Sequence, residues 1–207
     1  MKKNKIWMAV LLLMAFTSCV KTEYHFVDDS LKEWFVDPDK AVFQVRDQNG
    51  ITQDFRINDT SVYMVPGWSY FLFIKTDDDL CESIHQDGNV TYYQGYTFGL
   101  DIANYYETST YFSIVFYDVD FAIDVEGGQF TCSQGHDEWQ TGGNVLCTME
   151  MLDTHEVNGV TYHDVMHFRI TDLEAVTRNT FPTELYYAKH YGPIEYELGG
   201  EVRCKRL

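Results

Sequence analysis

The pair Asn158-Gly159 constrains the fold of this chain more than any other feature. It lies between two runs in which apolar and polar residues alternate, and Asn-Gly supplies the positive φ angles that a two-residue hairpin turn needs. A hairpin here predicts the register of both strands and gives them one apolar face. The predicted cross-strand pairs are Val157 with Val160, Met151 with Met166, Met149 with Phe168, and Cys147 with Ile170.

Asn49-Gly50 predicts a second hairpin, for which the loop length must be chosen. A two-residue turn would mix apolar and charged residues on one face, whereas a three-residue loop with a left-handed Gly50 keeps one face apolar. We therefore predict the longer loop. Its pairs are Phe43 with Phe55 and Ala41 with Ile57.

Period-two alternation predicts further strands. Tyr70–Ile74 fits a strand buried on both faces, followed by an acidic turn, "TDDDL". Residues 110–125 predict one long strand with its odd-numbered residues inward. A turn at Gly127-Gly128 would then place Val125 opposite Phe130, and Ile123 opposite Cys132.

These elements predict a mainly β protein: an antiparallel curved sheet, a half-barrel or a sandwich, with a short N-terminal helix. An aromatic content of 16% suits pleated surfaces. The helix is predicted from "SLKEWF", because Ser30 and Glu33 have the spacing of a capping box and Pro38 follows. Residues 19–40 are expected to be a tether with this helix, and residues 41–207 a single antiparallel β domain.

The N-terminus has the pattern of an export signal. Three lysines precede an apolar run, Ile6–Phe16, which is shorter than the ~20 residues that a membrane-spanning helix needs. Thr17-Ser18-Cys19 resembles the lipobox of bacterial lipoproteins, although Phe16 stands where a smaller aliphatic residue is usual. The resemblance implies removal of residues 1–18 and acylation of Cys19, which would anchor the chain to the cell envelope, at the outer membrane. The alternative is an ordinary signal peptide with Cys19 incidental.

Charge and cysteine content follow from this placement. Removing residues 1–18 takes away three of the 15 basic side chains and none of the 32 acidic ones, so the net charge falls from −17 to −20. Such a charge opposes nucleic-acid binding. Four cysteines remain, which permits two disulfides in an exported chain. The two registers predicted above direct Cys132 and Cys147 inward, so a Cys132–Cys147 disulfide is the first prediction. Cys81 would then pair with Cys204. The alternative is that the cysteines are buried free thiols.

The segment Tyr186–Tyr196, "YYAKHYGPIEY", resembles a closing motif of uncharacterised exported lipoproteins of Bacteroides-type bacteria. His190-Tyr191 departs from the usual glycine and small residue, whereas the other motif positions match: Tyr187, Ala188, Lys189, Gly192 and Tyr196. The resemblance implies a curved antiparallel sheet on a lipid anchor, similar to periplasmic lipoprotein carriers. It implies no catalytic residue.

No motif points to catalysis, to a cofactor or to a metal. His163 and His167 are four residues apart, but on a strand they are separated by ~13 Å, too far for one zinc ion. We instead expect His167 to form a surface pair with Glu150 across the hairpin. A polar loop, residues 134–144, carries His136 and Trp139 and is the candidate recognition loop.

We therefore expect a lipid-anchored cell-envelope protein with a binding or scaffolding role and no enzymatic activity. Its partners would be the membrane, through the lipid on Cys19, and an envelope protein, glycan or lipid. One alternative is a carrier that holds an apolar ligand inside a β half-barrel. The other is an envelope hydrolase with no recognisable motif. A carrier predicts an apolar cavity, a scaffold predicts a filled core, and a hydrolase predicts polar groups with shifted pKa values in a cleft.

Overall fold

The structure, a computed structural model, describes residues 22–71, 74–90, 97–105, 109–117, 119–134, 145–171 and 181–207. These residues form one short α-helix, α1 (Asp29–Lys32), a 3₁₀ turn (Pro38–Lys40) and fourteen strands. The strands are β1 (Tyr24–His25), β2 (Val42–Asp47), β3 (Thr52–Ile57), β4 (Ser61–Phe71), β5 (Ile74–Val90), β6 (Phe98–Tyr105), β7 (Ser109–Phe116), β8 (Val119–Asp124), β9 (Gln129–Gln134), β10 (Cys147–Val157), β11 (Val160–Ile170), β12 (Pro182–Ala188), β13 (Gly192–Leu198) and β14 (Val202–Arg206).

All fourteen strands belong to one sheet that curves into a nearly closed barrel. Its order is β10-β11-β12-β13-β14-β2-β3-β5-β6-β7-β8-β9, with β1 and β4 paired to β5 outside this path. Every pairing is antiparallel except that of β1 with β5. The two ends of the path meet where the Val145 amide donates to the Cys132 carbonyl at 2.9 Å. The predicted fold class is confirmed, in its barrel-like form.

Aromatic side chains fill the inside of this sheet. Phe55, Phe98, Phe116, Tyr187 and Tyr196 are each at most 1% exposed. The Phe116 and Tyr196 ring centroids lie 5.0 Å apart, and those of Phe98 and Tyr187 lie 6.0 Å apart. Burying rings of this size is the largest source of stability in such a core.

Two of the predicted hairpins are confirmed. The β10–β11 hairpin has all four predicted pairs, with Asn158 and Gly159 at positive φ. The β2–β3 hairpin pairs Phe43 with Phe55 and has Gly50 at φ +84°, as the three-residue loop requires.

The predicted register after Gly127-Gly128 is wrong by two residues. Ile123 pairs with Phe130, and Phe121 pairs with Cys132. The reason is a longer loop, since the last pair of the ladder is Asp124 with Gln129. Cys132 still points inward and is 2% exposed, because a shift of two residues preserves the face.

The predicted single strand over residues 110–125 is also wrong, because the chain reverses inside it. Phe116 pairs with Val119, so β7 and β8 are the two arms of a hairpin, and Tyr117 has φ +46°. Across a two-residue turn, an even-numbered residue of the first strand pairs with an odd-numbered residue of the second, so the two share a face of the sheet. The core residues of β7 are therefore even-numbered (Phe112, Ile114 and Phe116), whereas those of β8 are odd-numbered.

The prediction of a separate strand at Tyr70–Ile74 is wrong for the same reason. β4 ends at Phe71, β5 begins at Ile74, and these two residues pair across a reversal of the chain. The acidic stretch that was expected to form a turn instead lies within β5, where Asp77, Asp78 and Asp79 pair with β4.

The N-terminal lead-in packs into the barrel. The predicted short helix is present as α1, but its N-cap is Asp28, whose side chain accepts from the Ser30 amide at 2.8 Å. Farther on, Trp34 and Val36 are buried. The Tyr187 hydroxyl donates to the Trp34 carbonyl at 2.8 Å, which ties this segment to the centre of the core.

Candidate functional site

The predicted site residues have different outcomes. Cys19, His136 and Trp139 lie outside the described residues, so lipidation and the recognition loop stay predictions. His163 is exposed and lies opposite Thr154. Within the described parts of the chain, no group of three or more His, Cys, Asp or Glu side chains could hold a metal ion.

The structure brings Cys132 and Cys147 together at the seam between β9 and β10. All four described cysteines are free thiols, so neither predicted disulfide is present. The Cys132 and Cys147 side chains nevertheless interact with each other. This contact, together with burial, raises the pKa of Cys132, and the same contact lowers the pKa of the more exposed Cys147.

Cys81 and Cys204 do not meet. Cys81 lies between β1 and β4, and Cys204 lies opposite Asp47 of β2. In the sheet order β2 and β3 stand between their two strands, a separation of about 14 Å at the usual strand spacing. A disulfide needs Cα atoms within about 7 Å, so this pairing is incompatible with the fold.

The expected surface pair of His167 with Glu150 is correct in its partner but wrong in its exposure. Nδ1 of His167 lies 2.7 Å from Glu150 Oε1. The His167 side chain is only 7% exposed, because its Nε2 faces a second carboxylate, Glu184, at 2.9 Å. The histidine therefore joins three strands, β10, β11 and β12.

Glu184 belongs to a cluster of charged side chains centred on Arg203, on the outer face of the sheet. We name it the Arg203 cluster; it consists of His155, His167, Arg169, Glu184, Tyr186, Glu195, Glu197 and Arg203. Arg203 donates to Glu195 at 2.9 Å, to Glu197 at 3.0 Å and to Glu184. The Glu184 and Glu195 side chains are 7% and 4% exposed, so both charges depend on partners in the protein.

Tyr186 lies at the middle of this cluster. Its ring is parallel to those of His155 and His167, with centroids 4.1 Å away in both cases. His155 in turn contacts Glu195, with 3.0 Å between Nε2 and Oε2. The stack covers both glutamates and shields them from water.

The electrostatics of the cluster keep its carboxylates ionised. Burial alone would raise the pKa of Glu184, but hydrogen bonds from Arg169 and His167 and the charge of Arg203 outweigh it and hold the pKa at about 2. The pKa of Glu195 is lowered in the same way, against its burial, by His155 and Arg203. Neither group can act as a general acid near neutral pH, since that role needs a raised pKa.

Beside the cluster lies a cleft of about 190 Å³. Arg46 and Lys205 line it and are cross-strand partners, a like-charged pair that is unfavourable in a sheet. The remaining lining residues are Asp47, Gln48, Asn158, Arg203 and Leu207. Three of the seven lining residues are cations and one is a carboxylate.

Sequence reasoning missed the Arg203 cluster, although a signal for it exists. Near the C-terminus, polar residues are spaced two apart within each of three strands, and this spacing places both residues of a pair on the same face of their strand. The pairs are Glu184 with Tyr186, Glu195 with Glu197, and Arg203 with Lys205.

Comparison with known proteins adds no relationship: no family model, curated protein or solved structure matches this chain. Among the helices of the described residues, none has the length and apolar character needed to cross a membrane.

Proposed function

We propose that this chain is a lipid-anchored, exported protein of the bacterial cell envelope with a binding or scaffolding role. In this proposal the barrel is a structural support, and partners bind its outer surface. The observation that carries the proposal is the filled interior, where Phe98, Phe116, Tyr187 and Tyr196 occupy the space that a ligand would need.

The two alternatives have less support. A carrier of apolar ligands needs a cavity of roughly 300–1,000 Å³ lined by apolar groups, whereas aromatic rings in mutual contact occupy the centre of this barrel. A hydrolase that uses paired acids needs one carboxyl with a raised pKa. The two most deeply buried carboxylates of the Arg203 cluster have lowered values instead.

A titration with N-phenyl-1-naphthylamine, which fluoresces in apolar cavities, distinguishes a filled barrel from a carrier. We expect no saturable rise in fluorescence with the unacylated Cys19→Ala chain, because aromatic side chains of the described residues fill the centre of the barrel. Phe26→Ser is the matched control, since it removes exposed apolar surface and leaves the core intact. A saturable signal at one dye per chain, displaced by a fatty acid, would favour the carrier.

The anchor is proposed from the lipobox resemblance at Cys19. We expect an alkynyl palmitate analogue fed to the native host to label the wild-type chain and to leave Cys19→Ala unlabelled. Cys147→Ala, which removes a half-buried cysteine elsewhere in the chain, should keep the label. A purified native chain that retains residues 1–18, or that has an unmodified thiol at Cys19, would contradict the proposal.

An envelope location also bears on the cysteine pair at the seam. Disulfides form and persist in oxidising compartments. We therefore propose that Cys132 and Cys147 become a disulfide in the exported chain, as the adjacency of their side chains permits. Membership in the Bacteroides-type lipoproteins that the Tyr186–Tyr196 motif resembles is part of the same proposal.

A further inference from the structure

Two cations face each other across neighbouring strands in the cleft beside the Arg203 cluster. Arg46 of β2 pairs directly with Lys205 of β14, and both residues line the cleft. Their side chains share the outer face of the sheet, because the adjacent residues Val45 and Cys204 are buried in the core. Like charges directly opposite each other destabilise a sheet, so an anion bound between them would relieve a repulsion that the fold contains.

The carboxylates near this pair do little to neutralise it. Among the residues that the structure describes, Arg46 has no ion-pair partner, and its Nε donates to the Thr52 hydroxyl at 3.3 Å. Lys205 lies 3.6 Å from Glu195, a long contact to a carboxylate that Arg203 already binds at 2.9 Å. Acidic side chains outnumber basic ones by 32 to 15 in this chain, so two facing cations are the opposite of what its composition favours.

The one acid that lines the cleft is occupied by its own turn. Oδ1 of Asp47 accepts from the amides of Asn49 at 2.9 Å and Ile51 at 2.7 Å. These bonds hold the carboxylate in the β2–β3 turn, and it forms no salt bridge with a cation of the described ranges. Asp47 therefore shapes the turn and leaves the charges of Arg46 and Lys205 uncompensated.

The walls of the cleft are held in place by hydrogen bonds to the backbone. The Gln48 side chain donates to the Glu201 carbonyl at 2.7 Å and accepts from the Arg203 amide at 2.7 Å. The Asn158 side chain, at the tip of the β10–β11 hairpin, donates to the Arg206 carbonyl at 2.6 Å. Walls that are ordered before a ligand arrives reduce the entropy lost on binding.

The size and charge of the cleft define the ligand group. Its volume of about 190 Å³ is below the roughly 300–1,000 Å³ of sites that enclose a whole small molecule, so it fits a single charged group. A phosphate monoester has a charge of about −1.5 to −2 at neutral pH, which matches two cations better than a carboxylate does. Arginine also presents a planar fork of donors that fits phosphate oxygens.

We infer that Arg46 and Lys205 form a binding site for a phosphate group, either free phosphate or the end of a small phosphate monoester. Arg203 is a wall of this site and not a ligand donor, because its guanidinium already donates to three glutamates of the Arg203 cluster. The inference goes beyond the proposed function, and it requires neither the lipid anchor nor an envelope location.

Isothermal titration of the full-length chain with inorganic phosphate, at neutral pH and at an ionic strength fixed with sodium chloride, tests the site. We expect saturable binding of one phosphate per chain. Arg46→Met and Lys205→Met should each weaken it at least about tenfold, since each removes a charged hydrogen-bond donor, and the double variant should show no saturable heat. Both side chains lie at the surface, and an unchanged midpoint of urea unfolding would verify that the variants are folded.

The matched control is Arg56→Met. Arg56 is exposed on β3, does not line the cleft and has no ion-pair partner within the described parts of the chain, so this variant should bind phosphate as the wild type does. Equal weakening by Arg56→Met would show a general effect of net charge and overturn the inference. An absence of saturable binding to the wild type, or acetate binding as tightly as phosphate, would also overturn it.

Glucose 6-phosphate, titrated in the same way, distinguishes the two sources of the phosphate group. We expect it to compete with inorganic phosphate for the same single site, because the cleft is on the outer face. Tighter binding than that of inorganic phosphate assigns the site to monoesters, and weaker binding assigns it to the free ion. Simultaneous binding of both at full occupancy would overturn the inference of one shared site.

Discussion

Replacing Arg203 by methionine is expected to lower the free energy of unfolding by about 2 kcal/mol, less than the roughly 3–5 kcal/mol that losing one partner of a fully buried ion pair costs, because the Arg203 side chain is 38% exposed. Arg203 is the shared donor for Glu184, Glu195 and Glu197. Methionine fills a similar volume but leaves two glutamates buried without their common cation. The loss is therefore larger than that of an exposed salt bridge, which contributes at most about 1 kcal/mol.

Equilibrium unfolding in urea, followed by tryptophan fluorescence, measures this loss. Arg46→Met is the matched control, because Arg46 is exposed on the neighbouring strand and forms no ion pair within the described residues; it should change stability by less than about 0.5 kcal/mol. Arg203→Lys keeps the charge but not the planar fork, so its effect should be intermediate. A cost below about 1 kcal/mol for Arg203→Met would mean that the glutamates are solvated rather than dependent on the arginine.

The acid limb of the stability curve gives a second readout of the same cluster. The pKa of Glu184 falls from 4.5 to about 2 on folding, so its contribution is fully present above pH 4.5 and is lost as the pH falls towards 2. Glu184→Gln removes this dependence. Between pH 4.5 and 2 the variant should lose stability less steeply than the wild type, and parallel curves would show that Glu184 does not titrate in that window.

Local turn chemistry explains which parts of the fold could be predicted. Asn158, Gly159 and Gly50 adopt positive φ angles, and the two registers deduced from these turns match the observed ladders. In such hairpins the turn residues and the apolar alternation point to the same register, and no distant contact is needed to choose it.

Reversals without glycine could not be recognised. Tyr117 has φ +46° in a turn that contains neither glycine nor asparagine, so the alternation seemed to continue from β7 into β8. A tyrosine adopts such an angle only where packing imposes it. Here the Tyr117 ring contacts Phe116 and Tyr196, with centroids 4.9 Å and 5.9 Å away, and Tyr196 is far away in the sequence.

The Arg203 cluster could be predicted only in part, because the period-two spacing places the charges of each strand on one face but does not show which strands are neighbours. Its central contact joins Arg203 on β14 to Glu184 on β12, which are separated by β13 in the sheet. Each strand alone has ordinary outward-facing charges in a very acidic chain. Only the order of the strands shows that these charges meet and bury one another.

The second large effect is expected at the seam of the barrel. In the chain isolated from the envelope with thiols blocked, Cys132 and Cys147 should be joined, and the mass should be two daltons below that of the reduced chain. Oxidation removes two protons and two electrons, which a disulfide-bearing envelope oxidoreductase accepts as it becomes a dithiol. Cys147 is the attacking group, because it is half-buried and its pKa is lowered by the contact with Cys132.

Reducing this bond should lower the free energy of unfolding by about 3 kcal/mol, the value for closing a loop of about fifteen residues. For a chain of this size the melting temperature should fall by about 6–12 °C. The effect is specific to the seam, because β9 and β10 are the two ends of the strand order and a backbone hydrogen bond from Val145 to Cys132 links them. Cys147→Ala should melt at one temperature with or without reductant, whereas Cys81→Ala should keep the full response.

Free Cys132 and Cys147 in the exported chain, or a bond from either to Cys81 or Cys204, would contradict the prediction and leave the barrel closed by non-covalent contacts alone.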